Sequence, residues 1–207
     1  MPSALKNALE DLLRSRRLQP EEPPLRGEDR RGRALATGIA PLDDLLRGGF
    51  PRGQVSEVHG APSSGRTALV LALAARLTRA GSLLAWVDPG DRLDPASAAA
   101  AGVDLPRLLW VRGEGRARQG RALQAAVSAV GTLLGSGLFE VVVLDLAGTA
   151  AAALQRLPGA TWIRLQRLVE DQPSALLLLA DGHVAHGPAG ATLALKPSAP
   201  RWSGTPP

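Results

Sequence analysis

The sequence predicts an α/β fold, a mainly parallel sheet covered by helices on both faces. Three observations lead there. Short apolar runs alternate along the chain with longer segments of helical period, the order expected of βαβ units. One run, "FEVVVLDLAG" (139–148), is apolar almost throughout, as a strand buried on both faces must be. The chain has 207 residues, 45% of them hydrophobic, enough to bury one sizeable core. Aromatic residues make up only 3% and tyrosine is absent, so aliphatic side chains and alanine must do the packing.

The elements follow in order. Residues 3–18 carry Leu5, Ala8, Leu9, Leu12 and Leu13 at helical spacing and end in Arg14, Arg16 and Arg17, where cations suit the helix dipole. The segment "QPEEPPLRGEDRRGR" (19–33) is rich in proline and charge and reads as an exposed linker. The compact core is expected from 34 to 196. Thr37 or Pro41 opens a short helix, "PLDDLLRGG", that Gly48 and Gly49 stop. "QVSEVHG" (54–60) alternates and is a strand; Thr67 to Ala80 is a helix. "LLAWVD" (83–88) and "LLWVR" (108–112) are strands, 117–134 an alanine-rich helix, 160–171 another helix and "ALLLLAD" (175–181) a strand. "ATLALK" (191–196) is placed as an edge strand, and the proline-rich 197–207 as a disordered tail.

Composition narrows the chemistry. There is no cysteine, which excludes disulfides, thiolate catalysis and cysteine-ligated zinc and suits a cytoplasmic location. No apolar run approaches the roughly 20 residues of a membrane span, and the charged N-terminus lacks the apolar centre of a signal peptide. The formal charge of +5 comes almost wholly from arginine; it permits contact with DNA without requiring it. The densest basic cluster, Arg112, Arg116, Arg118 and Arg121, reads first as a solvated loop and helix start. Trp162 reads as partial core and His59 as packing at a strand end; His183 and His186 are too few for a metal site.

The strongest local signal is "GAPSSGRT", Gly60 to Thr67, between a strand and a helix. It has the form of a phosphate-binding loop, G-x-x-x-x-G-K-[ST], with arginine in place of lysine. Glycines let successive backbone N–H groups face one anion at a helix N-terminus. The candidate nucleotide-binding residues are therefore Gly60, Ser63, Ser64, Gly65, Arg66 and Thr67, with ATP or ADP the candidate ligand. Asp145 closes the apolar run 139–145, where such folds place a carboxylate for Mg²⁺, so Thr67 and Asp145 form the candidate metal pair. Arginine is planar and forked where lysine is a point charge, and the exchange is not conservative. Alone, the loop could be a chance glycine turn and Asp145 a plain strand-end aspartate; together they point to one fold.

These residues carry a resemblance. "ATGIAPLDDLLRGGFPRGQVSEVHGAPSSGRTALVLALAARL" looks like the start of the ATPase core of RecA, a "TG…LD…LGGG-P-G" segment followed by a strand and a GP-x-S-S-G-K-T loop. "LLAWVDPGDRLDPASAAAAGVDLPRLLWVR" is similar to the next stretch of that core, and "VVVLDL" to its metal-binding strand. The similarity runs from about Ala34 to Lys196, and the helix before it resembles the RecA self-association helix, with Leu5, Leu9, Leu12 and Leu13 as its contact stripe. The departures matter as much. The resemblance puts the family's catalytic glutamate at Gly90, although Asp88 is kept and Asp91 lies one place beyond; its γ-phosphate-sensing glutamine falls near Gly182. The two DNA-gripping loops are curtailed, at 148–160 and at "GHVAHGPAG", and the domain that follows the core in RecA is not matched.

A core of this size with degenerate motifs most resembles the ImuA family, RecA-like accessory proteins of bacterial mutagenic translesion synthesis, often labelled SulA-like. That resemblance implies an SOS-response protein without ATPase activity, binding nucleotide weakly or not at all. It implies as partners RecA, an inactive ImuB-like Y-family polymerase homologue, an error-prone replicative-type polymerase, or a second copy of the chain. Two other readings compete: a DNA-dependent ATPase of recombinational repair and a SulA-like inhibitor of cell division.

Overall fold

The computed structural model describes residues 34–113, 119–170, 172–185 and 190–198, plus Asn7, Asp11, Arg14 and Ser15 of the N-terminal segment. Those four positions are helical, and Arg14 lies 3.5 Å from Asp11 one turn away. The leucine stripe Leu5, Leu9, Leu12 and Leu13 lies outside the described residues, as do Arg116, Arg118, His186 and the linker.

Six strands form one all-parallel sheet: β1 (Val55–Gly60), β2 (Leu84–Asp88), β3 (Leu108–Arg112), β4 (Val141–Asp145), β5 (Ala175–Ala180) and β6 (Thr192–Leu195). Their spatial order is β3-β2-β4-β5-β1-β6. This is the fold class the sequence predicts, with the segment at 191–196 on an edge as expected. The helices are α1 (Ala40–Leu45), α2 (Arg66–Arg79), α3 (Pro95–Ala100), α4 (Gln119–Ser136), α5 (Ala151–Gln155) and α6 (Ala160–Glu170), with a 3₁₀ turn at Leu105–Arg107.

The apolar runs lack alternation because each strand serves two cores. In β4, Val141 and Val143 pack with α2 residues Leu69, Leu73 and Leu77, whereas Val142 and Leu144 pack with Val127 and Val130 of α4 and Leu165 of α6. β5 divides the same way, Leu177 and Leu179 to one side, Leu176 and Leu178 to the other. A residue pointing to either face is buried, so period two disappears from the sequence.

Three local features differ from the sequence expectations. The helix after the glycine loop starts at Arg66, one residue early, because Gly65 turns the chain with φ +90°. Residues 95–100, which show no apolar period, are helical: Asp94 accepts the N–H groups of Ala96 (3.2 Å) and Ser97 (3.0 Å), and Pro95 takes the first position. The segment 148–160 is not wholly loop; α5 lies inside it. Ahead of β1, Asp43 accepts the backbone N–H of Thr37 and of Gly38 and the Thr37 hydroxyl, tying α1 back to the segment before it. Also just ahead of strands β1 and β4, Arg52 and Glu140 form a nearly buried ion pair to which Ser82 also donates.

Candidate phosphate-binding site

Parallel strands bring their C-terminal ends to one edge, and every predicted site residue of the core lies there. Gly60 ends β1 and opens the loop. A Cβ on it would stand 2.4 Å from the Leu195 carbonyl oxygen of neighbouring β6, so only glycine fits. Ser63 (φ +64°) and Gly65 (φ +90°) hold left-handed conformations that curl the loop toward α2. Thr67 is exposed at the start of α2, and the Ser64 hydroxyl is buried with no partner among the described residues.

Arg66 is buried, and its guanidinium is already engaged. Nη1 donates to the Gly60 carbonyl and Nη2 meets Asp181 Oδ1 at 2.6 Å. The other oxygen, Asp181 Oδ2, accepts the Gly148 N–H at 3.0 Å. Asp181 immediately follows β5, the strand between β1 and β4. Asp181 therefore joins the phosphate loop after β1 to the turn after β4.

Asp145, at the end of β4, is nearly buried; Oδ1 accepts the Ala147 N–H (3.0 Å) and Oδ2 the Trp86 indole N–H (3.4 Å). Burial, helped by the adjacent Asp88, pushes its carboxyl up to about 6, against the pull of those hydrogen bonds and of Arg66. Asp88 is fully buried. Its Oδ2 accepts the N–H groups of Arg92 (2.6 Å) and Leu93 (2.8 Å) and the Trp110 indole (3.3 Å). It organises the turn at 89–93 and does not reach outward.

Gly90 offers no side chain, and a Cβ there would lie 3.3 Å from the Arg92 side chain. A Cβ on Gly148 would be 2.2 Å from three guanidinium atoms of Arg92, which therefore lies flat against that glycine. The Arg92 side chain thus lies beside Gly90, the position where the resemblance would put a carboxylate. Asp91 is not an alternative. It pairs bidentately with Arg112 at 2.8 Å on edge strand β3, and Arg112 also stacks 4.5 Å above Trp110. Gly182 is exposed.

Beside the loop lies a groove of about 700 Å³ between residues 148–162 and 181–184. Leu154, Leu157, Trp162 and Val184 line it, and among the described residues its ionisable lining groups are Asp181 and His183, with no lysine or arginine. The Glu57 carboxylate, fully buried in β1, holds the near wall by accepting from Val184 N–H (2.7 Å) and Ala185 N–H (3.2 Å) and pairing with His183 Nδ1 (2.8 Å). Sequence reading missed Glu57 and Asp181. The only signal was a carboxylate in the middle of one strand and another at the end of a second.

The loop glycines suit a phosphate, but as arranged the Arg66 guanidinium that would meet it is held by Asp181 and the Gly60 carbonyl. Among the described residues no group of three or more histidines, aspartates or glutamates is placed to hold a metal ion, and no helix is long and apolar enough to cross a membrane.

The profile of the RecA N-terminal domain family matches residues 27–158. The chain is 40% identical over 111 residues to Protein RecA of Prochlorococcus marinus (strain MIT 9211), covering 54% of this chain and 28% of that protein. It is 40% identical over 114 residues to Protein RecA of Chlorobaculum parvum (55% and 31%), and 39% over 113 residues to that of Rubrobacter xylanophilus (54% and 31%). The match thus spans less than a third of these relatives' length. With the loop, the strand order and the family match together, the chain belongs to the RecA N-terminal domain family.

Proposed function

We propose that this protein is a degenerate RecA-like accessory factor of the bacterial SOS response and translesion mutagenesis, working in the cytoplasm by protein–protein contact and not by ATP hydrolysis. One observation carries the reading: the Arg66 guanidinium is bound to Asp181 and Gly60 within the chain. Catalysis of phosphoryl transfer is mostly positioning and charge stabilisation at the γ-phosphate. Here the cation is engaged elsewhere, Gly90 and Gly182 supply no side chain, and the Arg92 side chain lies against Gly90 and Gly148. Among the described residues the groove beside the loop is lined by none of the cations a phosphate backbone needs.

The partners proposed are RecA, an ImuB-like inactive polymerase homologue with its error-prone replicative-type polymerase, or a second copy of the chain. The N-terminal leucine stripe is the proposed contact, since a lone helix of this length is marginal in water and gains stability by docking. A chain docked on RecA without turning over nucleotide would cap a filament end. The test is sedimentation of the full chain with RecA, compared with a chain lacking residues 1–33. The reading expects a complex with the full chain and at least about a tenfold weaker one with the truncated chain, which converts to about 1.4 kcal/mol. Equal binding by both would move the contact off this helix. A second reading, a DNA-dependent ATPase, is favoured by the family match across the phosphate loop; ATP turnover separates the two.

A further inference from the structure

We propose that Asp181 acts as a latch on the phosphate loop: it holds Arg66 in the closed position, and the polyphosphate of a nucleoside di- or triphosphate binds only when that ion pair opens. The proposal rests on the reading of a site without turnover and adds what controls ligand entry.

The geometry supports an exchangeable contact more than a fixed strut. The Arg66 side chain is only 9% exposed, so its charge requires a partner at all times. Asp181 is 43% exposed and can leave that contact for water without being stranded. An incoming phosphate is an anion of greater charge and can replace it. The loop is otherwise prepared for one, with Gly65 and Ser63 curled in left-handed turns and the Ser64 hydroxyl buried without a partner among the described residues. Because Asp181 Oδ2 also takes the Gly148 N–H, opening the latch releases the turn after β4, where Asp145 sits. Nucleotide occupancy would then be felt at the groove wall through Gly148 and Asp181, both of which line it.

The experiment is calorimetric titration of the full chain with MgADP and MgATP. Four proteins are compared: native, Asp181→Asn, Asp91→Asn and the double variant Asp181→Asn with Arg66→Ala. Asp91→Asn raises the net charge equally but unpairs Arg112, far from the loop in the pairing pattern. Asp181→Asn should bind at least about tenfold more tightly than native, a change of about 1.4 kcal/mol. Asp91→Asn should stay close to native, and the double variant should lose the gain. No gain in Asp181→Asn, or an equal gain in Asp91→Asn, overturns the latch. Should Asp181→Asn fail to fold, hydrogen exchange at the Gly148 amide of the native chain decides. Saturating nucleotide should speed it, and unchanged exchange overturns the proposal. Phosphate release in the same titrations would instead count against the reading of a site without turnover, so the two failures are distinguishable.

Discussion

At the scale of single residues, the informative substitution is Arg66, and what it does depends on a carboxylate distant in sequence. The loop pattern exposes the arginine at once. Asp181 stays hidden because a strand-end aspartate is commonplace, and only the order β4-β5-β1 sets it between the two turns it joins. Asp145 was legible from its place after an apolar run; its raised carboxyl was not, since that follows from burial in the folded chain. A test follows from the direction of the shift. Burial raises the Asp145 carboxyl from 3.8 to about 6, so the folded chain holds this proton more tightly than the unfolded chain does. The contribution to stability is fully present below about pH 4 and is lost as pH rises through about 6, by about 3 kcal/mol in total. Asp145→Asn should remove that slope and be the more stable protein at pH 7.5, whereas native should regain ground at pH 5. Thermal melts at the two pH values check it; parallel pH profiles would show that Asp145 ionises freely in the folded state.

At the scale of elements, apolar runs and helical periods placed all six strands and the long helices, because burial on two faces leaves a strong mark on composition. Short elements held by caps left none. The helix 95–100 depends on Asp94 and Pro95, a signal present in the sequence but unaccompanied by any apolar period. The wall at 183–185 depends on Glu57, a polar position of an alternating strand that is nonetheless fully buried, which accepts from two backbone N–H groups and pairs with His183. Glu57→Gln replaces one acceptor oxygen by a donor facing those groups. We expect a loss of about 2 kcal/mol, within the range for buried hydrogen bonds to a charged group, measured by urea unfolding. A variant as stable as native would show that this wall is not anchored through Glu57.

At the scale of the whole molecule, a chain of the RecA N-terminal domain family folds into an all-parallel sheet whose candidate site has its side chains turned toward one another. The glycine loop follows β1 and Asp145 ends β4, at one edge of the sheet. Gly90 and Gly182 offer no side chain, and among the described residues no lysine or arginine lines the groove. We propose a retained scaffold used for contact. The most direct measurement is ATP turnover by the full chain, with and without single-stranded DNA, beside an Asp145→Ala variant. We expect no phosphate release above about 1 per minute in any of these, far below ordinary enzyme rates. Turnover above that level in the native chain that disappears in Asp145→Ala would contradict the account and make the protein a working ATPase.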